Sequence, residues 1–178
     1  MAPPLAFVVI LSMIKDAYED YKRHKADESE NNSLAEVFVK TENKFVMTQW
    51  KNIKVGDLVR VNEDQFFPAD MIVLKSTENE GMFYVETKNL DGETNLKIKG
   101  VEKDLIEPFL SEDSLGKLAG TINIENPNNR IYKFDGNYSM TSGVVPLTNN
   151  SVALRGMSLR NTENVTGIVV YTGHDSKI

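Results

Sequence analysis

The chain opens with an apolar run that gives way to a stretch rich in charge of both signs. Residues 5–14 hold nine apolar side chains out of ten, with Ser12 as the exception. This is about half of the roughly 20 residues that cross a bilayer, and no basic start of a signal peptide precedes it. The run is interpreted as a buried helix face or as the last half of a transmembrane helix. Residues 15–27 lack Pro and Gly and predict a charged helix.

After a polar linker at residues 29–33, short apolar segments separated by turn residues predict β-strands. One of them, residues 130–134, is expected to end at the hairpin-type turn Asp135-Gly136. One helical interruption is predicted at roughly residues 103–118, with Pro108 near its start. The predicted strands are residues 37–39, 45–47, 58–61, 71–74, 82–85, 121–124, 130–134, 152–154 and 165–171.

Many short strands with closely spaced turns are typical of antiparallel all-β architectures. The pattern therefore predicts a mainly β chain, built as a barrel, a sandwich or a distorted jelly roll. A helical segment precedes the strands, and one short helical insertion interrupts them.

Composition excludes several classes of function. The chain has 178 residues, which favours one domain. Its 26 acidic and 20 basic residues give a net charge of −6, which argues against nucleic acid as a partner. The absence of cysteine excludes disulfides, a catalytic thiol and Cys-based metal sites. Only His24 and His174 are available as imidazoles, and neither lies in a motif.

The most unusual segment is residues 89–97, with the sequence NLDGETNLK. One interpretation is a tight turn at Asp91-Gly92, followed by solvated loop residues Glu93 and Thr94. The other is a functional loop. In that case the turn presents a carboxylate outward, Gly92 allows another surface to approach closely, and Thr94 donates a hydrogen bond to a substrate oxygen or holds the loop. The residues alone leave both interpretations open.

The sequence DGETNLK at residues 91–97 resembles the signature loop of the actuator domain of type IV P-type ATPases, the phospholipid flippases. Related ion pumps carry a shorter TGES loop there. Other segments resemble the same family, in family order. They are KVGDLVRV at 54–61, FFPAD at 66–70, LRG at 154–156, LRNT at 159–162 and VYTG at 170–173. Met157, Asn164 and Ser176 depart from common family residues, outside the signature loop.

The resemblance implies an actuator domain with a distorted jelly-roll, or double-stranded β-helix, fold. Residues 1–33 are then the end of the second transmembrane helix and a cytosolic linker helix. Residues 34–172 form the actuator domain, and residues 173–178 lead toward the third transmembrane helix. The chain is accordingly expected to be a cytosolic loop of a multi-pass membrane protein.

The resemblance also implies roles for the loop, whose catalytic set is Asp91, Gly92, Glu93 and Thr94. Glu93 orients and deprotonates the water that hydrolyses an aspartyl-phosphate, an intermediate of covalent catalysis. Gly92 gives clearance for docking, Thr94 donates a hydrogen bond near the phosphate, and Asp91 forms the turn. Asn95 is a weaker candidate for the same surface. Lys97 is expected to be solvated, or else to contact the phosphorylation domain.

The expected parent is an ATP-driven phospholipid flippase. ATP and Mg²⁺ belong to that parent, and this segment is expected to hold no cofactor or metal. It lacks an Asp-Lys-Thr-Gly-Thr sequence, so it is not expected to hydrolyse ATP alone. The expected partners are the phosphorylation domain and membrane helices of the same chain, phospholipid and an accessory transmembrane subunit.

Two other interpretations are compatible with parts of the sequence. A non-catalytic β-rich interaction module of a membrane protein accounts for the strands and the acidity, but not for the ordered motifs. The actuator domain of an ion pump accounts for most motifs, but the Asp-Gly-Glu-Thr form argues against it. An Asp-Lys-Thr-Gly-Thr sequence downstream in the parent would support a pump over the non-catalytic interaction module.

Overall fold

The computed structural model describes residues 3–109 and 112–177, and its first element is one long helix. Helix α1 (Pro3–Asn31) contains no internal Gly and places Pro in its first turn, where the missing N–H costs no hydrogen bond. Every described side chain from position 6 to position 31 is exposed. The described part of the chain therefore does not bury the apolar run over residues 6–14. Among the described residues no helix is long and apolar enough to span a membrane.

The rest of the described chain is mainly β, as predicted. Its twelve strands form three antiparallel sheets with the orders β10-β4-β12-β3-β1-β2, β11-β5-β6 and β7-β8-β9. The strands are β1 (Leu34–Val39), β2 (Lys44–Gln49), β3 (Leu58–Asn62), β4 (Asp70–Ser76), β5 (Met82–Glu86), β6 (Lys97–Gly100), β7 (Thr121–Ile124), β8 (Gly136–Met140), β9 (Gly143–Leu147), β10 (Val152–Ala153), β11 (Ser158–Arg160) and β12 (Asn164–Tyr171).

The core is centred on β4 and β12, which pair in the middle of the large sheet. Each contains an almost continuous run of buried apolar residues, typical of strands covered on both faces. Gly167 sits at a register shift between these two strands. A Cβ at Gly167 would lie 2.6 Å from the Ile72 carbonyl oxygen, so only glycine permits this close pairing.

The predicted helical interruption is present as short pieces. Helix α3 (Lys103–Ile106) continues into a 3-10 turn (Glu107–Phe109), and α4 (Glu112–Gly116) follows. Pro108 lies in the 3-10 turn. Its ring and missing N–H are incompatible with the interior of one continuous α-helix.

The predicted strand at residues 130–134 is wrong. Residues 125–135 form an irregular loop, and the strand begins at Gly136 and pairs with β7 and β9. Phe134 is buried and Ile131 packs partly against the core. These apolar side chains anchor a loop to the core and do not form one face of a strand. Asp135-Gly136 is accordingly not a hairpin turn, and the hairpin connects β8 to β9.

A buried carboxylate ties the two ends of the described chain to the core. Asp70 is fully buried, and its two oxygens accept the Arg155 N–H at 2.8 Å and the Lys177 N–H at 2.7 Å. The Arg155 guanidinium pairs with Glu30 of α1 at 3.1 Å. Burial raises the pKa of Asp70, and the two backbone hydrogen bonds oppose that rise. Asp70 therefore has a structural role, holding the backbone at Arg155 and Lys177.

Candidate functional site

The backbone around the unusual segment is shaped by a single helical turn and one glycine. Helix α2 (Lys88–Asp91) follows β5 and ends at Gly92, whose φ of 77° and ψ of 0° are left-handed. The Gly92 N–H donates to the Lys88 carbonyl at 3.1 Å. A left-handed residue after a helix is most often glycine, because a side chain is strained there. We call residues 91–94 the signature loop, of which residues 92–94 are exposed and Asp91 is partly buried.

Asp91 anchors this loop as a hydrogen-bond acceptor. One carboxylate oxygen accepts the Thr87 hydroxyl at 2.8 Å and the Glu93 N–H at 3.0 Å. The other accepts the Lys97 ammonium at 2.6 Å and the Tyr132 hydroxyl at 3.0 Å. The Lys97 hydrogen bond, followed by that of the Glu93 N–H, holds the pKa of Asp91 well below its usual range. Asp91 therefore remains ionised and fixes the turn.

Lys97 lies at the centre of the charges of the loop. Its ammonium contacts Asp91 at 2.6 Å and Glu93 at 2.9 Å. Both carboxylates raise the pKa of Lys97, with Asp91 as the larger cause. The prediction that Lys97 is a solvated side chain is wrong, because the side chain is half-buried between two acceptors.

The remaining residues of the loop face solvent. The Glu93 side chain is 57% exposed, although Lys97 holds one of its oxygens. Thr94 and Asn95 are exposed as well. A Cβ built at Gly92 meets no atom within 4 Å, so the described chain leaves this face of the loop open. A carboxylate held there can accept a proton or orient a water molecule for a group brought from outside.

Two residues of the site were missed by sequence reasoning. Thr87 precedes α2 as its N-cap residue, and its residue type is a recognisable signal for that position. Tyr132 comes from the loop between β7 and β8, 41 positions from Asp91. No sequence pattern connects Tyr132 to the signature loop, since the contact depends on how two sheets are placed.

No metal-binding arrangement accompanies the loop in the described ranges. Between residues 3 and 109 and between 112 and 177, no group of three or more His, Asp or Glu side chains is placed to hold an ion. Both acidic residues of the loop instead pair with Lys97, whose single positive charge offsets one of the two negative charges. What the arrangement offers is one rigid, paired carboxylate and one exposed carboxylate two positions later.

Comparison with known proteins gives a consistent result. Residues 31–178 match the family described as the P-type ATPase actuator domain. The chain is 47% identical over 178 residues to phospholipid-transporting ATPase 6 of Arabidopsis thaliana, covering 100% of this chain and 14% of that protein. It is 41% identical over 174 residues to phospholipid-transporting ATPase DRS2 of Saccharomyces cerevisiae, covering 98% of this chain and 13% of that protein. The chain thus spans about one seventh of the length of these relatives.

Proposed function

The chain belongs to the P-type ATPase actuator-domain family, and from this membership we propose that it is the actuator domain of an ATP-driven phospholipid flippase. In this proposal the signature loop directs hydrolysis of an aspartyl-phosphate carried by the phosphorylation domain of the same protein. The lipid cargo is proposed because the relatives at 41% and 47% identity are named phospholipid-transporting ATPases. The isolated chain is not expected to hydrolyse ATP.

The observation that carries the catalytic part is the contrast between Asp91 and Glu93. Asp91 is 11% exposed and accepts four hydrogen bonds, so it fixes the loop and has no capacity left for a ligand. Glu93 is 57% exposed, and its side chain pairs with Lys97. A carboxylate on a fixed turn, beside a glycine with open space, is suited to a reacting group that another domain delivers.

The chemical step assigned to Glu93 is general-base catalysis. Its carboxylate accepts a proton from water while the water oxygen bonds to phosphorus. The bond between phosphorus and the aspartate oxygen breaks, which releases inorganic phosphate and restores the aspartate carboxylate. A positioned general base contributes roughly 10²- to 10⁴-fold to such a step. Thr94 is assigned the role of donating a hydrogen bond to a phosphoryl oxygen.

Lys97 must release Glu93 for this step, since a carboxylate paired with an ammonium is a poor base. The same lysine can remain on Asp91 at 2.6 Å, so the turn keeps its shape while Glu93 becomes free. Gly92 adds no side chain between the loop and the docking surface. ATP and Mg²⁺ are assigned to other domains of the parent.

Coupling to transport is assigned to the two ends of the chain. Helix α1 is a continuous 29-residue rod whose last turn is held by the Glu30–Arg155 ion pair. The segment around Lys177 is held to the same core through Asp70. Rotation of the core would therefore move both connections together. In a cytosolic loop of the parent, these connections would lead to the membrane helices and move them. The phospholipid and an accessory transmembrane subunit would be bound elsewhere in the parent.

The test is phosphoenzyme turnover in the full-length parent, with Glu93→Gln against wild type. We expect the variant to take phosphate from ATP and to lose hydrolysis of the phosphoenzyme by about 10²- to 10⁴-fold. Glu78→Gln is the matched control, because Glu78 is exposed and lies outside the loop. Hydrolysis at the wild-type rate in Glu93→Gln would refute the assigned role.

A second measurement separates phospholipid from ion cargo. Phosphoenzyme hydrolysis in the wild-type parent should be accelerated by phospholipid added to detergent micelles. Acceleration by K⁺ or Ca²⁺ and not by phospholipid would identify an ion pump, with the role of Glu93 unchanged.

A further inference from the structure

A cavity of about 320 Å³ lies directly behind the signature loop. Its walls are partly apolar, from Leu90, Ile131 and Met157, and partly charged, from Asp91 and the two lysines of β6. Its volume is at the lower end of the range for small-molecule sites. We call it the β6 cavity.

The unusual group in this cavity is Lys99. Lys99 is only 7% exposed, and its ammonium donates one hydrogen bond, to the Asn149 carbonyl at 2.6 Å. In the described parts of the chain no carboxylate lies within ion-pairing distance of it. Buried cations are normally paired, because removing a charge from water is unfavourable without a counter-ion. Lys99 is therefore a buried cation that lacks a counter-ion.

The neighbouring charged side chains do not provide a counter-ion for Lys99. Lys97 lies two positions earlier, on the same face of β6, and it adds a second positive charge. Asp91 is the one carboxylate in the cavity wall, and Lys97 already pairs with it at 2.6 Å. Glu93, which lies outside the cavity, also pairs with Lys97, at 2.9 Å. Both nearby carboxylates are thus engaged by Lys97, and neither pairs with Lys99 in the described parts of the chain.

We propose that the β6 cavity binds a small amphiphilic carboxylate. The carboxylate would be the counter-ion of Lys99, and the apolar body would cover Leu90, Ile131 and Met157. A monoanion matches the single charge of the Lys99 ammonium, whereas a phosphate dianion would face the carboxylate of Asp91. A ligand in this cavity would not contact the proposed general base, since Glu93 does not line the cavity.

Occupancy of the cavity would also act on the signature loop. Thr87, Asp91 and Tyr132 all line the cavity, and they make the hydrogen bonds that hold the loop. A ligand seated against them would stabilise the loop in the observed form. Through these hydrogen bonds, a ligand in the cavity would regulate how firmly the signature loop is held.

The experiment is a titration of the full 178-residue chain with hexanoate, followed by amide NMR shifts. Hexanamide is the uncharged probe of similar shape, and inorganic phosphate is the anion without an apolar body. We expect saturable shifts at cavity residues with hexanoate, and binding at least about tenfold weaker for the other two probes. Equal binding of hexanoate and hexanamide, tighter binding of phosphate, or no saturable shift with hexanoate would each overturn the proposal.

Variants locate the binding site. Lys99→Met should weaken hexanoate by about tenfold or more, whereas Lys99→Arg should retain part of the affinity. Lys103→Met is the control, because Lys103 lies outside the cavity. Full affinity in Lys99→Met would overturn the proposal. If that variant fails to fold, the three-probe comparison on the wild-type chain decides the question alone.

Discussion

The Lys97 ammonium lies 2.9 Å from the Glu93 carboxylate and 2.6 Å from that of Asp91, so one cation holds both acidic residues of the signature loop. The two pairings differ in character. Asp91 is nearly buried and has three further donors, whereas Glu93 is mostly exposed. Because an exposed ion pair contributes little free energy, the Glu93 contact is the one that opens at low cost.

Lys97→Met should raise the pKa of Asp91 toward the ordinary aspartate value, because Lys97 is the largest cause of its depression. The value should stay below normal, since the Glu93 N–H, Thr87 and Tyr132 still donate to the carboxylate. The measurement is a carboxyl-carbon NMR titration of the chain. Lys88→Met is the control, because Lys88 is exposed on the same helical turn without contacting Asp91. An unchanged pKa of Asp91 in Lys97→Met would show that the ion pair does not form in solution.

Gly92→Ala should cost about 1–2 kcal/mol of folding free energy, because alanine is strained at a φ of 77°. No steric clash adds to this, since the new Cβ meets nothing within 4 Å. In the parent protein, phosphoenzyme hydrolysis should fall much further than this folding cost explains, because the methyl group faces the proposed docking surface. Hydrolysis is measured by phosphate release from the isolated phosphoenzyme.

The matched control for that prediction is Gly56→Ala. Gly56 has a φ of 91° and equally open space, but it lies in the turn before β3, outside the signature loop. The two variants should lose similar stability, and only Gly92→Ala should lose hydrolysis. Equal phosphoenzyme hydrolysis in both variants would contradict the proposal that docking requires clearance at Gly92.

The sequence pattern predicted the centre of the fold better than its periphery. Residues 71–74 and 165–171 are apolar runs bounded by turn residues, and they lie in β4 and β12 as predicted. Strand β6 was missed because its pattern is inverted. Lys97 and Lys99 point inward, where they find acceptors, whereas Ile98 is 62% exposed. Hydrophobic alternation cannot detect a strand whose inward residues are charged.

The position of the signature loop was predicted from the sequence, but the hydrogen bonds that hold the loop were not. Its sequence resemblance indicated Asp91 to Thr94, and the Asp-Gly pair indicated a turn there. The Tyr132 contact could not be predicted, because it joins two loops that are distant in sequence and brought together by packing. Residues 130–134 were wrongly predicted as a strand for a different reason. Buried apolar residues in a loop resemble those of a strand in the sequence.

Asp70→Asn should destabilise the chain by about 1–3 kcal/mol, the cost of leaving a buried donor unpaired. The asparagine oxygen can accept one of the two backbone N–H groups, but its NH₂ group would face the other. Urea unfolding of the chain measures the loss. Asp57→Asn is the control, because Asp57 accepts one backbone N–H in a turn, and the asparagine oxygen can replace it. Equal stability of Asp70→Asn and wild type would show that the buried carboxylate is not required.

Lys99→Met should stabilise the chain at pH 7 and remove a pH dependence that the wild type shows. Burial, followed by repulsion from Lys97, lowers the pKa of Lys99 to about 8, against 10.5 ordinarily. Between these values the unfolded chain binds more protons than the folded chain, so wild-type stability rises with pH there. The rise amounts to roughly 3 kcal/mol, and the whole penalty is present below pH 8.

Methionine carries no charge and loses only the Asn149 hydrogen bond, worth about 1 kcal/mol. At pH 7 the variant should therefore gain roughly 2 kcal/mol, and above pH 10.5 that gain should turn into a loss of about 1 kcal/mol. Urea unfolding of both chains at several pH values between 7 and 10.5 gives the difference directly, and titrations common to both chains cancel. Parallel curves across this range would mean that Lys99 keeps its proton in the folded chain as readily as in water.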